Sequence, residues 1–333
     1  MDYGHEQTDK ELKKLEKRIT EEYEKAYKEV KKKADDYFKQ FQKADAEKKK
    51  LVDAKLMSEK DYLAWRQSAM LTGKRWDDMA DVLAKDMVNA DKIAAAVIGE
   101  RLPDTYALNA NYGTYEIEHG LGIDTSWTMY DHSTVENLMR DDPQMIPKPR
   151  MDIPKDMRWN RQKITSAITQ GVLQGDSIPE ISSRLRSVTN MDRIAAIRNA
   201  RTYTTAAENK GRIDSYQRAK ELGIDLQKEW IATPDGRTRD SHVDLDGERA
   251  DIDATFSNGC RYPADPMGDP AEVYNCRCTL VAAVRGRQYH DDRFTRLPEG
   301  MTYEDWKAHK LKENKKEGRR KTRGKTNAKT NSR

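Results

Sequence analysis

Between Gly4 and Gly73 the chain contains neither glycine nor proline. A stretch of that length without a backbone breaker excludes a turn-rich architecture at this end and predicts helix. From residue 8 to 56 apolar side chains return every three or four positions, at Leu12, Leu15, Ile19, Tyr23, Ala26, Val30, Ala34, Tyr37 and Phe41, with mostly charged residues between them. That period marks one face of an α-helix. The stripe needs a partner, from this chain or another. An exposed helix burying one stripe and a coiled coil both stay open, because the spacing drifts from a strict heptad.

The rest of the chain extends the helical pattern. Charged residues make up 35% and apolar residues 36% of 333, with a mean hydropathy of −1.01. So little apolar surface does not suit one compact globule, and long solvated helices around small cores fit better. Residues 58–102 read as helix, with Ser58 and Asp61 as its capping pair, a stripe Trp76, Met79, Ala80, Leu83, Met87 and Ala90, and a stop at Gly99. Residues 103–124 hold Pro103, Asn109, Asn111, Gly113, Gly120 and Gly122 and read as a mixed region of short helices. Four prolines, Pro143, Pro147, Pro149 and Pro154, predict an extended connector. Helix resumes at 159, with a stripe Ile164, Ile168, Val172 and Leu173 and a stop at Gly175. Asp176 or Ser177 then caps a helix with Pro179 in its first turn, and residues 191–222 form a long helix closed by Gly223. From 228 the pattern changes to a short strand (KEWIAT), polar and Pro/Gly-rich loops, and a final strand in CRCTLVAAV. The expected fold is mainly α, with a small C-terminal α+β module and a disordered basic tail. The expected boundaries are 1–140, a connector at 141–158, a module at 159–290 and the tail at 291–333.

Several function classes fall away. No run approaches 18 uninterrupted apolar residues, so no membrane helix is expected. The N-terminus is charged and lacks the apolar core of a signal peptide. Three cysteines do not make a disulfide framework, which points to a reducing cytoplasm. The net charge of +4 is uneven, since residues 310–333 carry 7 Lys and 4 Arg against 2 Glu.

The order W-x-A-T-x-D-x-R-T-R-x-x-H-x-x-x-D-G, F-x-N-G, Y-P-x-D-P and N-C-R-C resembles the C-terminal module of phage minor head proteins of the Mu F type. Here it is carried by Trp230, Ala232, Thr233, Asp235, Arg237, Thr238, Arg239, His242, Asp246, Gly247, Phe256, Gly259, Pro263, Asp265, Pro266, Asn275, Cys276, Arg277 and Cys278. Upstream, ITSAITQGVLQGDSIPEISSRL and IRNARTYTTAAENKGRIDSYQ are similar to that family's two helical segments, with Tyr203 where Glu is commoner. The likeness covers about residues 160–285. It implies a low-copy head-morphogenesis protein that acts in head assembly or DNA delivery and is not an enzyme. The implied partners are the portal, scaffolding or major capsid protein and packaged DNA. The implied location is the capsid interior near the portal, after assembly in the host cytoplasm. The module also occurs fused to toxin domains, and no such addition is evident here.

The residues themselves leave alternatives open. Cys276 and Cys278 point to one side of an extended segment, which makes a clamp for a soft metal. With His242 and Cys260 they give a structural Zn²⁺ set of three cysteines and one histidine. In the opposing reading the thiols are ordinary core residues and no cofactor is required. Asp235, Arg237, Thr238, Arg239, Asp246, Gly247, Asn275 and Arg277 build an internal hydrogen-bond network or grip a partner's anion. A sharper alternative places His242, Asp246 and Asp235 in a metal-dependent, virion-delivered enzyme acting on nucleic acid. In the tail, Lys315, Lys316, Arg319, Arg320, Lys321, Arg323 and Lys325 suit double-stranded DNA without sequence preference. A helical DNA-binding adaptor is the remaining alternative.

Overall fold

The computed structural model describes residues 2–125, 127–284 and 294–312. Its elements are α1 (Tyr3–Lys39), α2 (Gln42–Asp53), α3 (Glu59–Leu71), α4 (Lys74–Leu121), β1 (Ile123–Asp124), α5 (His132–Asp141), α6 (Ile153–Leu173), α7 (Ile178–Ser183), α8 (Leu185–Glu221), β2 (Leu226–Ile231), α9 (Asp240–Asp244), β3 (Arg249–Asp251), α10 (Pro270–Val273), β4 (Thr279–Val284) and β5 (Thr295–Arg296). Residues 303–312 are also helical. The protein is mainly α with a small antiparallel α+β region near its C-terminus, as the composition predicts. Among the described residues no helix is long and apolar enough to cross a membrane.

Two compact units form, one from Lys13–Gly99 and Lys148–Ala200, the other from Met1–Leu12, Glu100–Pro147 and Arg201–Arg333. Helices α1, α4 and α8 each contribute residues to both, so the proline segment does not separate one continuous half from another.

In the first unit the α1 stripe finds its partner in its own chain. Val30, Ala34, Tyr37 and Phe38 share a core with Met70, Trp76, Leu83, Ile164, Ile168, Val172 and Leu185. The single helix read over 8–56 is two helices. The Gln40 amide donates to the Tyr37 carbonyl at 2.6 Å, where helix turns into turn without any glycine or proline. The capping signals act as read: Ser58 accepts from the Asp61 N–H at 3.1 Å, and Ser177 and Glu180 form a reciprocal box.

In the second unit the mixed region read over 103–124 is instead the continuation of α4, with Pro103 inside the helix. Burial overrides the local breaker signals there, since Leu102, Tyr106, Ala110 and Ile117 are all core residues. Gly113 serves close packing and not a turn: a Cβ there would lie 2.3 Å from Ser215 Oγ. Gly211 on α8 works likewise, with Tyr106 O 2.6 Å and Ala110 N 2.9 Å from where its Cβ would stand. Beside this helix pair lies a three-stranded antiparallel sheet in the order β3-β2-β4, in which Glu229 faces Val281 and Lys228 faces Ala250. Trp230, Phe256, Leu280, Tyr262 and Tyr216 fill its core. Lys228 is buried, and its ammonium donates to the carbonyls of Ile252, Ala254 and Arg261, pinning the loop after β3.

Residues 294–312, which the sequence assigned to the disordered tail, are structured. β5 pairs antiparallel with β1, and Tyr303 and Trp306 bury against Tyr3, Tyr112 and Tyr115. Lys310 sits buried between Glu118, at 3.0 Å, and Asp124. The remaining tail residues, including Lys315, Lys316, Arg319, Arg320, Lys321, Arg323 and Lys325, lie outside the described residues.

Candidate functional site

The N-C-R-C segment enters β4 along the polar face of α8. β4 pairs with β2 on one edge, and α8 side chains meet backbone groups along the segment and into β4. Thr202 Oγ1 accepts from the Asn275 N–H at 2.9 Å, and Thr205 Oγ1 donates to the Cys276 carbonyl at 2.8 Å. Asn209 donates to the Cys278 carbonyl at 3.1 Å and accepts from the Leu280 N–H at 2.9 Å. Arg212 Nη1 donates to the Leu280 carbonyl at 2.7 Å, and Thr279 Oγ1 donates to Glu208 at 2.7 Å. Helix side chains thus satisfy backbone groups that a further strand would otherwise pair. Asn275 adopts φ +60°, a conformation asparagine tolerates better than most residues, and its side chain accepts from Arg201 at 3.3 Å.

That scaffold holds Cys276 and Cys278 against His242. The three are 2%, 2% and 1% exposed. Their sulfurs lie 3.7 Å and 3.4 Å from His242 Nδ1. On the other side of the ring, Nε2 sits 2.9 Å from Glu272 Oε2. Glu272 is itself fixed by Ser241 at 3.2 Å and Asn258 at 3.3 Å. In the tautomer whose Nε2–H donates to this carboxylate, the Nδ1 lone pair faces the sulfurs. Trp230 closes the pocket edge-on to the imidazole, with ring centroids 5.2 Å apart. A hydrogen bond from Cys276 pulls the Cys278 thiol down to about 5. Burial drives Cys276 the other way, well above the usual thiol range.

Cys260 does not join this cluster. It is fully buried beside Gly268, where a Cβ would come within 2.6 Å of its sulfur. Burial, reinforced by Asp265, raises its thiol to about 11, the character of a protonated core residue. The set of three cysteines and one histidine is therefore not assembled: the structure brings together His242, Cys276 and Cys278, with Glu272 in the place behind the imidazole.

The loop residues bond inward. Asp235 clamps Arg277 through both oxygens, at 2.5 and 2.6 Å, and also takes Arg237 at 3.0 Å. The Arg277 pair, ahead of all else, holds the Asp235 carboxyl far below the usual carboxylate range. Arg239 donates to the carbonyls of Glu272 at 2.7 Å and Tyr274 at 2.5 Å, tying α10 to the start of α9. Thr238 donates to the Thr233 carbonyl at 2.5 Å, and Asp246 accepts from the Ala232 N–H at 2.8 Å. Gly247, at φ +80°, returns its N–H to Trp230 O at 2.8 Å. His242, Asp246 and Asp235 each face different partners, so the nuclease-like trio is not brought together.

Sequence reasoning missed Glu272, Thr205, Glu208, Asn209 and Arg212 as site residues. The last four had a signal, since polar residues recur at helical spacing on one side of a helix that must bury that side. Glu272 had none, because only the fold carries α10 to α9.

The family model described as Phage Mu protein F like protein matches residues 162–281. The resemblance read from the rare residues of this region is therefore borne out. Among curated proteins, the chain is 29% identical over 209 residues to the NAD(+)--arginine ADP-ribosyltransferase EFV of Enterococcus faecalis, covering 60% of this chain and 42% of that protein. It is 25% identical over 281 residues to the minor head protein GP7 of Bacillus phage SPP1, covering 78% of this chain and 89% of that one. It is 28% identical over 136 residues to the uncharacterized protein YqbB of Bacillus subtilis, covering 38% and 44%. The chain thus spans less than half the length of the first and third of these relatives. No solved structure matches.

Proposed function

We propose that this chain, whose residues 162–281 carry a Phage Mu protein F-like module, is a phage minor head protein acting in head morphogenesis. It sits at low copy at the portal, on the interior side of the capsid, and its basic tail contacts packaged double-stranded DNA. The observation that carries the reading is the extent of the GP7 match. It takes in 89% of that minor head protein and 78% of this chain, far beyond the 120-residue span of the module.

The chemistry of the module supports a structural role. Its distinctive residues are spent on cross-links between loops, α8 and the sheet, and the thiol–imidazole cluster found among the described residues is closed to solvent. The relative named as an ADP-ribosyltransferase overlaps this chain over less than half of its own length.

The test is co-expression with the portal protein of the same phage, followed by gradient sedimentation, and mass spectrometry of purified virions. Co-sedimentation with the portal ring and a virion copy number of the same order as portal subunits is the expected result. Absence from purified virions, with no portal co-sedimentation, overturns the reading.

A further inference from the structure

We propose that His242 Nδ1 and the sulfurs of Cys276 and Cys278 hold one zinc ion, with a solvent oxygen as fourth ligand and Cys260 playing no part. The proposal rests on geometry. Around a tetrahedral zinc, with bonds of about 2.3 Å to sulfur and about 2.0 Å to nitrogen, the sulfur-to-nitrogen edge is about 3.6 Å. The two edges here are 3.7 and 3.4 Å. All three ligand atoms lie within 4.8 Å of one another, and among the described residues no fourth His, Cys, Asp or Glu stands with them.

The surroundings are those of a metal site. The nitrogen facing away from the sulfurs is held by Glu272 at 2.9 Å, the carboxylate–histidine arrangement that fixes the tautomer and orientation of a ligating imidazole. Charge balance agrees. Arg239 and Glu272 face the cluster with opposite signs, so two thiolates there leave two negative charges, which one Zn²⁺ neutralises. The ion would close the loop carrying α9 onto the segment entering β4, across 34 residues of sequence, in a module with a small core. Buried as it is, the site acts as a staple between the two segments.

The experiment uses the full chain, purified with a reductant from zinc-supplemented cells. Elemental analysis is expected to give about one zinc per chain, in the unchanged protein and in Cys260→Ser alike. Cobalt(II) exchanged into the unchanged protein is expected to show tetrahedral d–d bands and thiolate charge transfer with the intensity of two sulfurs. This readout needs no variant to fold. Glu272→Gln is expected to weaken zinc binding by about 10–100-fold while leaving the cobalt spectrum two-sulfur in character. An unchanged protein that carries no zinc and takes up no cobalt overturns the proposal. So does loss of the metal in Cys260→Ser, or a three-sulfur cobalt spectrum.

Discussion

Gly211 and Gly99 both lie inside long helices, and the same substitution at each should move stability in opposite directions. Replacing a mid-helix glycine with alanine ordinarily stabilises by about 0.8–1.0 kcal/mol, because glycine loses more backbone freedom on folding. At Gly99 nothing lies within 4 Å of the new Cβ, so Gly99→Ala should gain that amount. At Gly211 the Cβ would meet Tyr106 O at 2.6 Å and Ala110 N at 2.9 Å. Both are backbone atoms of α4 and cannot rotate away. Relief requires α8 to move off α4, which strains the Asn109–Arg212 and Tyr106–Asp214 bonds. Overpacking of that kind costs about 1–3 kcal/mol, and here it also forfeits the propensity gain from an undistorted helix. Gly211→Ala should therefore be less stable than the unchanged protein by about 1–3 kcal/mol, and less stable than Gly99→Ala by about 2–4 kcal/mol. Urea unfolding followed by circular dichroism, with the three proteins side by side, reads the midpoints directly. If Gly211→Ala unfolds at or above the midpoint of the unchanged protein, close backbone packing is not why glycine stands there.

Other consequences are equally direct. Asn209→Leu strips the Cys278 carbonyl of its donor and the Leu280 N–H of its acceptor, both buried, and should cost about 2–5 kcal/mol in denaturant unfolding; a change within about 0.5 kcal/mol would show the bonds to be incidental. Burial raises the Asp91 carboxyl from 3.8 to about 6, in a cavity it shares with Asp156, Asp192, Lys163 and Arg150. Its neutral form therefore favours the folded state below pH 4, and that contribution is lost as pH rises through 6. Asp91→Asn should be the more stable protein at pH 7, by at most about 2–3 kcal/mol, with the gap closing toward pH 4. Asn160 Oδ1, which has no hydrogen-bond partner, can accept from the new amide after a flip; a pH-independent gap would refute this account. Removing residues 313–333, with 9 Lys and Arg against 2 Glu, should abolish weak duplex-DNA binding. In the full chain that binding should fall about 10³-fold or more between 50 and 200 mM salt; salt-insensitive binding would point to another surface.

The patterns that depend on near neighbours were legible in the chain itself. Helical periodicity, the capping pairs at Ser58 and Ser177, the stops at Gly175 and Gly223, and the two longer strands follow from local backbone preference and from which side chains can face inward. The order of rare residues from Trp230 to Cys278 was enough to mark the module, because its turns and strand entry each need a particular residue type. What sequence could not supply were the meanings of residues whose partners are remote. Gly113 and Gly211 read as breakers or as nothing, yet their lack of a Cβ lets α4 and α8 touch. Pro103 read as a helix boundary, and burial along α4 outweighed its lost hydrogen bond. Three cysteines and a histidine in one short region looked like four ligands. Tertiary packing decided that Cys260 turns into the core beside Gly268 while Glu272, 30 residues from His242 in the chain, stands behind its ring. A ligand set is a statement about distances, and only the folded chain fixes distances between residues so far apart in sequence.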